Sequence, residues 1–226
     1  MPSAKELPRI DSTGRAYKGS QRQIQTYVNE KQDALNSAIA QSLSRYNVDA
    51  HGISWVSPLA QDNYLEYRDS EFLERVGLGH LGTSLSKFWP HGGPRWDALA
   101  QIKGGCLLVE AKSHVSEIES GGCQASIGSR RAIEKALEAT RNWLGVSTGG
   151  DWTGKFYQCA NRYAHLYFLT QIARVPAYLI NVYFIEDPCK PTSRAEWDLG
   201  IADVRLELRV SGVVPFSAAV FLKASS

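Results

Sequence analysis

Cysteine is scarce and scattered. Cys106, Cys123, Cys159 and Cys189 include no C-x-x-C pair, which argues against a thiolate zinc site or a dense disulfide framework and leaves them as small apolar thiols. No uninterrupted apolar run approaches the roughly eighteen residues of a membrane helix, and the opening MPSAKELPRIDSTGR lacks the apolar core of a signal peptide. The sequence therefore predicts a soluble, cytoplasmic protein with no membrane partner. Net charge is also low: 25 basic against 23 acidic residues give +2, too little for the whole surface to attract a polyanion, so any nucleic-acid contact has to be local. No repeat, low-complexity tract, helix-turn-helix, zinc-finger or ribonucleoprotein signature stands out. The glycines at 92, 93, 104 and 105 form no phosphate-binding loop, because no G-K-[ST] follows them.

What is present is enough for a packed core. At 226 residues, 43% hydrophobic and 10% aromatic, the chain suits one globular domain. Residues 1–19 read as a flexible N-terminal arm, and 20–226 as a single domain with an N-terminal helical part. Ile24, Val28, Leu35, Ile39 and Leu43 recur at helical spacing and predict one long helix over 21–46. GISWVSPLA holds a short strand. A helix over 63–76 follows, with Asn63 and Glu66 as its capping box and Leu65, Phe72, Leu73 and Val76 on its buried side. Residues 77–95 read as a Gly/Pro/Ser-rich loop. Helices over 130–144 and 155–171, a buried strand in AYLINVYFIED, a helix opened by Ser193 and Glu196, and a closing strand in FSAAVFLK complete the order. That order predicts a mixed α/β or α+β sheet flanked by helices.

The segment WDALAQIKGGCLLVEAKSH, residues 96–114, reads as a strand hairpin carrying two acids and a base. With Gly104-Gly105 as the turn, Asp97 pairs with Lys112 and Leu99 with Glu110. With Lys103-Gly104 as the turn, Asp97 falls opposite Glu110. Either register puts Asp97, Glu110 and Lys112 on one face, whereas a three-residue loop would move Asp97 to the other. Two adjacent carboxylates raise each other's pKa unless a cation lies between them. A divalent metal supplies one, and oxygen ligands favour Mg²⁺ or Mn²⁺ over zinc. Asp97 and Glu110 are the candidate metal ligands, the carbonyl of Ala111 a further one, and Lys112 a group to orient the attacking water and stabilise charge on phosphorus. The competing reading is a solvated ion-pair ladder, but CLLVEAK is apolar enough for a sheet interior, where an unpaired carboxylate is costly.

GGPRWDAL followed by LLVEAK resembles the PD-(D/E)XK nuclease superfamily, whose motif is a first acid and then (D/E)-x-K on the next strand. Asp97, Glu110 and Lys112 match it; Trp96 stands before the first acid, with the proline further back at Pro94. The resemblance implies a restriction-endonuclease-like mixed sheet, Mg²⁺- or Mn²⁺-dependent hydrolysis of phosphodiester bonds, and DNA as the preferred nucleic acid. A non-catalytic nucleic-acid-binding or assembly module on the same fold is the alternative. Oligomeric state stays open, a homodimer included.

Other residues are candidates for supporting roles. Asp69 lies on an apolar helix face, and in this superfamily an extra acid often comes from that helix, so Asp69 is a candidate ligand. Gln158, Asn161, Arg162 and His165 form a polar stripe on an otherwise apolar helix. Gln158 or His165 could position water or phosphate, and Arg162 could neutralise substrate charge; a hydrogen-bond network between packed helices is the structural alternative. Arg130, Arg131, Lys135 and Arg141 are interleaved with Glu134 and Glu138, which favours surface ion pairing. The six tryptophans read as core before they read as a base-stacking platform.

Overall fold

The computed structural model describes residues 10–146 and 149–225. Five strands form one mixed sheet in the order β1 (Ser54–Ser57), β2 (Ala98–Ile102), β3 (Gly105–Lys112), β4 (Ala177–Ile185) and β5 (Ser217–Lys223). The first three pair antiparallel, and β3, β4 and β5 run parallel. Seven α-helices accompany the sheet: α1 (Gly19–Glu30), α2 (Gln32–Ser42), α3 (Asp69–Arg75), α4 (Gly82–Phe88), α5 (Ile127–Trp143), α6 (Tyr157–Tyr167) and α7 (Arg194–Leu208). None is long and apolar enough to cross a membrane among the described residues.

Alternation along the strands divides the core in two. Ala98, Leu107, Val109 and Ile180 point to one face, where Ile24 and Val28 of α1 and Leu35 and Ile39 of α2 cover them. Leu99, Cys106, Leu108 and Leu179 point to the other, under α3 to α7. Both parallel connections, α5 and α6 after β3 and α7 after β4, lie on this second face. Trp197 is fully buried there and donates its indole N–H to the carbonyl of Phe184 at 2.9 Å, tying α7 to β4. The capping box of α7 is formed by Ser193 and Glu196.

Several elements differ from the sequence reading. The long N-terminal helix is broken at Lys31; a straight helix over 21–46 would reach about 39 Å, longer than the strands it has to cover, and the break lets both halves stay on the sheet. The helix expected from Asn63 starts only at Asp69. Asn63 and Tyr64 take left-handed backbone angles, φ 51° and 54°, so no capping box forms and Leu65 is 48% exposed. The loop over 77–95 contains α4. The α6 helix continues into a single π turn, Phe168–Ile172. Within the expected arm, Ile10 bridges Ala16, and the Ala16 N–H donates to Gln25 Oε1 at 2.8 Å, so residues 10–18 are held against α1. Residues 1–9 of that arm, and residues 147–148 of the loop after α5, lie outside the described residues.

The β2–β3 register is that of a Lys103-Gly104 turn: Ile102 pairs with Gly105 and Ala98 with Val109. Gly104 takes φ +74° with open space around it. Gly105 is already in the ladder, where a Cβ would sit 1.7 Å from the carbonyl oxygen of Pro176. The two glycines are thus needed for different reasons. Gly104→Ala is expected to cost about 1 kcal/mol from its backbone angle. Gly105→Ala should cost about 3 kcal/mol or more, because the neighbouring strand has to move. Urea unfolding of the two variants measures the difference; equal costs would refute the assigned register.

Candidate active site

The β2–β3 ladder stops where the acids begin. Continuing the observed register places Asp97 opposite Glu110, and both share the α6 face with Lys112 by strand alternation. The Trp96 N–H leaves the ladder for the carbonyl of Tyr67 at 3.1 Å. On β3 the Ala111 N–H donates instead to Asp97 Oδ2 at 2.7 Å. A strand residue presents its N–H and C=O to the same side, so the Ala111 carbonyl faces the same broken edge as Asp97.

Glu110 lies 5% exposed in the central strand and requires a cation. Arg162 of α6 supplies one: Nε donates to Glu110 Oε2 at 2.6 Å, Nη1 to Asn161 Oδ1 at 2.8 Å and Nη2 to the Arg95 carbonyl at 2.9 Å. The guanidinium carbon also stands 5.0 Å from the centre of the Trp96 ring. Lys112 Nζ is 2.6 Å from Glu110 Oε1 and donates to Gln158 Oε1 at 2.9 Å. Glu110 is thus engaged at both oxygens, Oε2 by Arg162 and Oε1 by Lys112.

Each titratable group responds to these neighbours. Burial pushes the Asp97 carboxyl well above the usual range, and the charge of Glu110 pushes it further. Glu110 is raised by burial, but Arg162 and Lys112 outweigh that and hold it below its ordinary value. Burial lowers Lys112, yet Glu110 and Asp97 together leave it raised and charged. A third carboxylate belongs here. Burial raises Glu66, a hydrogen bond from Gln21 Nε2 at 3.1 Å opposes that, and Glu110 adds repulsion. Sequence reading assigned Glu66 to a helix cap. Its place beside the site follows from the left-handed pair Asn63-Tyr64, for which nothing in the local pattern provided a signal.

The other candidates separate. Gln158 and Arg162 border the same cleft as Glu110 and Lys112, and Asn161 holds Arg162. Asp69 is not brought to Glu110: it accepts from the N–H groups of Gly92 and Gly93 at 3.1 and 2.8 Å. His165 is 1% exposed and packs edge-on to Trp89, Trp96 and Phe72. Its Nδ1 meets the Asn161 carbonyl at 2.8 Å; a carbonyl only accepts, so Nδ1 carries the proton. Arg130 pairs with Glu134, and Trp55, Trp89, Trp96, Trp152 and Trp197 are core residues.

No family model, curated protein or solved structure matches this chain.

Among the described residues, no three His, Cys, Asp or Glu side chains are gathered as a ready-made metal cage. Mg²⁺ does not need one, since it keeps waters and takes one or two carboxylates. The donor types fit such an ion: Asp97, Glu110, whose Oε1 would be shared with Lys112, the Ala111 carbonyl, and Glu66 nearby. Burial raises Asp97 and Glu66 and the charge of Glu110 adds to it, both of which a bound cation would oppose.

His165 generates a test of the scaffold. Burial lowers its pKa from 6.5 to about 4. Between those values the unfolded chain binds a proton that the native state does not, so stability falls as pH drops from about 6.5 to 4. The loss is expected to reach about 3 kcal/mol by pH 4. Urea unfolding of wild type and His165→Gln at pH 7.5 and pH 4 should show a loss smaller by about that amount in the variant. Equal losses would place His165 in solvent.

Proposed function

We propose that the protein is a metal-dependent nuclease that hydrolyses phosphodiester bonds of DNA, on a restriction-endonuclease-like fold of the PD-(D/E)XK kind. The observation that carries this reading is the convergence of Asp97, Glu110 and Lys112 on one face where the β2–β3 ladder ends. The five-stranded mixed sheet with helices on both faces is compatible with it.

Asp97, Glu110 and the Ala111 carbonyl would hold Mg²⁺ or Mn²⁺. Bound there, the ion would supply positive charge that activates a water and offsets negative charge building on the phosphate. The chain's own groups do the rest. Lys112, kept protonated by Glu110 and aimed by Gln158, donates hydrogen bonds to the water or to a phosphate oxygen and stabilises the developing charge. Arg162 holds Glu110 Oε2 and keeps the carboxylate ionised and oriented, and a metal bound at Oε1 would share that oxygen with Lys112.

The rival reading, a non-catalytic module on the same fold, draws on Glu110 being engaged by two cations already. Two variants separate the readings. Asp97→Asn preserves the hydrogen bond from Ala111 and removes the charge, so Mn²⁺ binding measured by calorimetry is expected to weaken about tenfold or more. Lys112→Met should leave Mn²⁺ binding within a few fold and slow single-turnover cleavage by about 10²- to 10⁴-fold. A wild-type protein that binds Mn²⁺ but cuts neither DNA nor RNA would overturn the substrate assignment; one that binds no Mn²⁺ would favour the module.

A further inference from the structure

A cleft of about 380 Å³ starts at Glu110 and Lys112 and runs away from Asp97, over β4, to the edge strand β5. The sequence explains why it stays open. Where bulkier side chains would fill the gap between the sheet and α7, β5 presents Ser217 and Ala219 on that face. Glu110, Asn181 and Ala219 are in-register neighbours on successive strands. The Asn181 amide therefore stands about 5 Å from the Glu110 position, and the open floor over Ala219 about 10 Å from it.

The lining has a definite chemical order. Lys112 and Arg162 stand at the inner end, and Arg45 and Arg205 at the exposed mouth. Between them, Ile201 and Val204 of α7 face Tyr163 of α6. The Tyr183 ring lines the floor and is braced by Trp197 and Phe221, with centroids 4.8 and 5.4 Å away. Asn181 makes one long side-chain hydrogen bond, donated from Nδ2 to Ser217 Oγ at 3.5 Å, which leaves its other N–H and its carbonyl oxygen for a flat heterocycle edge. Arginines at the mouth, Lys112 beside Glu110 at the inner end, apolar walls and an amide between them suit an anionic backbone carrying one planar base. The volume is that of a small-ligand site.

We propose that this cleft receives one unpaired nucleotide next to the phosphate being cut, which makes single-stranded DNA, and not continuous duplex, the substrate. The cut itself rests on the nuclease reading; the binding does not. Enzymes acting on one nucleotide commonly take it out of the stack, and aromatic floors with basic rims are the usual means of holding single strands.

The test uses the full chain in EDTA, with fluorescence anisotropy of a labelled single-stranded oligonucleotide and of the same sequence fully paired. Wild type is expected to bind the single strand more tightly. Ala219→Leu, which fills the floor at an exposed edge-strand position, should weaken single-strand binding about tenfold or more. Ala219→Ser, which leaves the space, should bind like wild type, and urea midpoints of both variants establish that they are folded. Equal wild-type affinity for the two forms, or unchanged single-strand binding by folded Ala219→Leu, overturns the proposal. Metal-dependent cutting of duplex that Ala219→Leu leaves intact would also overturn it while sparing the nuclease reading. Preferential single-strand binding that Ala219→Leu abolishes, with no Mn²⁺-dependent cutting, would support the cleft and sink the nuclease reading.

Discussion

A carboxylate in the interior of the central strand cannot stay ionised alone, and Glu110 is positioned there by the strand pattern. Removing the partner of a buried charge costs about 3–5 kcal/mol, so the fold has to deliver a cation from another element. Arg162 meets that demand with three nitrogens, each to a different segment: β3, its own helix, and the loop entering β2. The planar guanidinium rests against Trp96, the residue immediately before the first acid of the motif. One ion pair thereby sets the height of α6 over the sheet and the path of the chain into Asp97.

Charge in this corner is unevenly shared. Two cations hold Glu110 ionised, while Asp97 and Glu66 lie close to it and are both raised in pKa. Burial is the main cause of both shifts, and the charge of Glu110 adds to them. Asp97 lies where the ladder ends, and the Ala111 carbonyl is turned to the same edge.

Groups outside the site still shape it. Asp69 gathers the N–H groups of Gly92 and Gly93, and a Cβ on Gly93 would come within 3.0 Å of Asp69 Oδ1 and 3.1 Å of His165 Nε2. That close approach seats the loop on the ring of aromatic residues around His165. Pro94, Arg95 and Trp96 then have one way into β2. Asp69 and His165 shape this corner by fixing the approach of the loop, which is why a chemically suggestive residue type in each case turns out to hold backbone.

Much of the architecture was legible along the chain. Period-2 and period-3.6 patterns located the strands and most helices, and the E-x-K spacing alone required Glu110 and Lys112 to share a face. Asp97 joined them in either two-residue register. Which register holds was decided by tertiary contact: Gly105 has to pass against the Pro176 carbonyl of the neighbouring strand, so Gly104 alone takes the turn. The polar stripe on α6 was visible as a stripe, but its division between the cleft side, Gln158 and Arg162, and the aromatic side, His165, depends on the angle at which α6 crosses the sheet. Glu66 was hidden because two left-handed residues, Asn63 and Tyr64, redirect the chain before α3. The cleft was hidden as well, since small residues on an edge strand become a cavity only when a helix bridges over them. Local sequence determines which side chains share a face; only the packing of distant segments determines what that face meets.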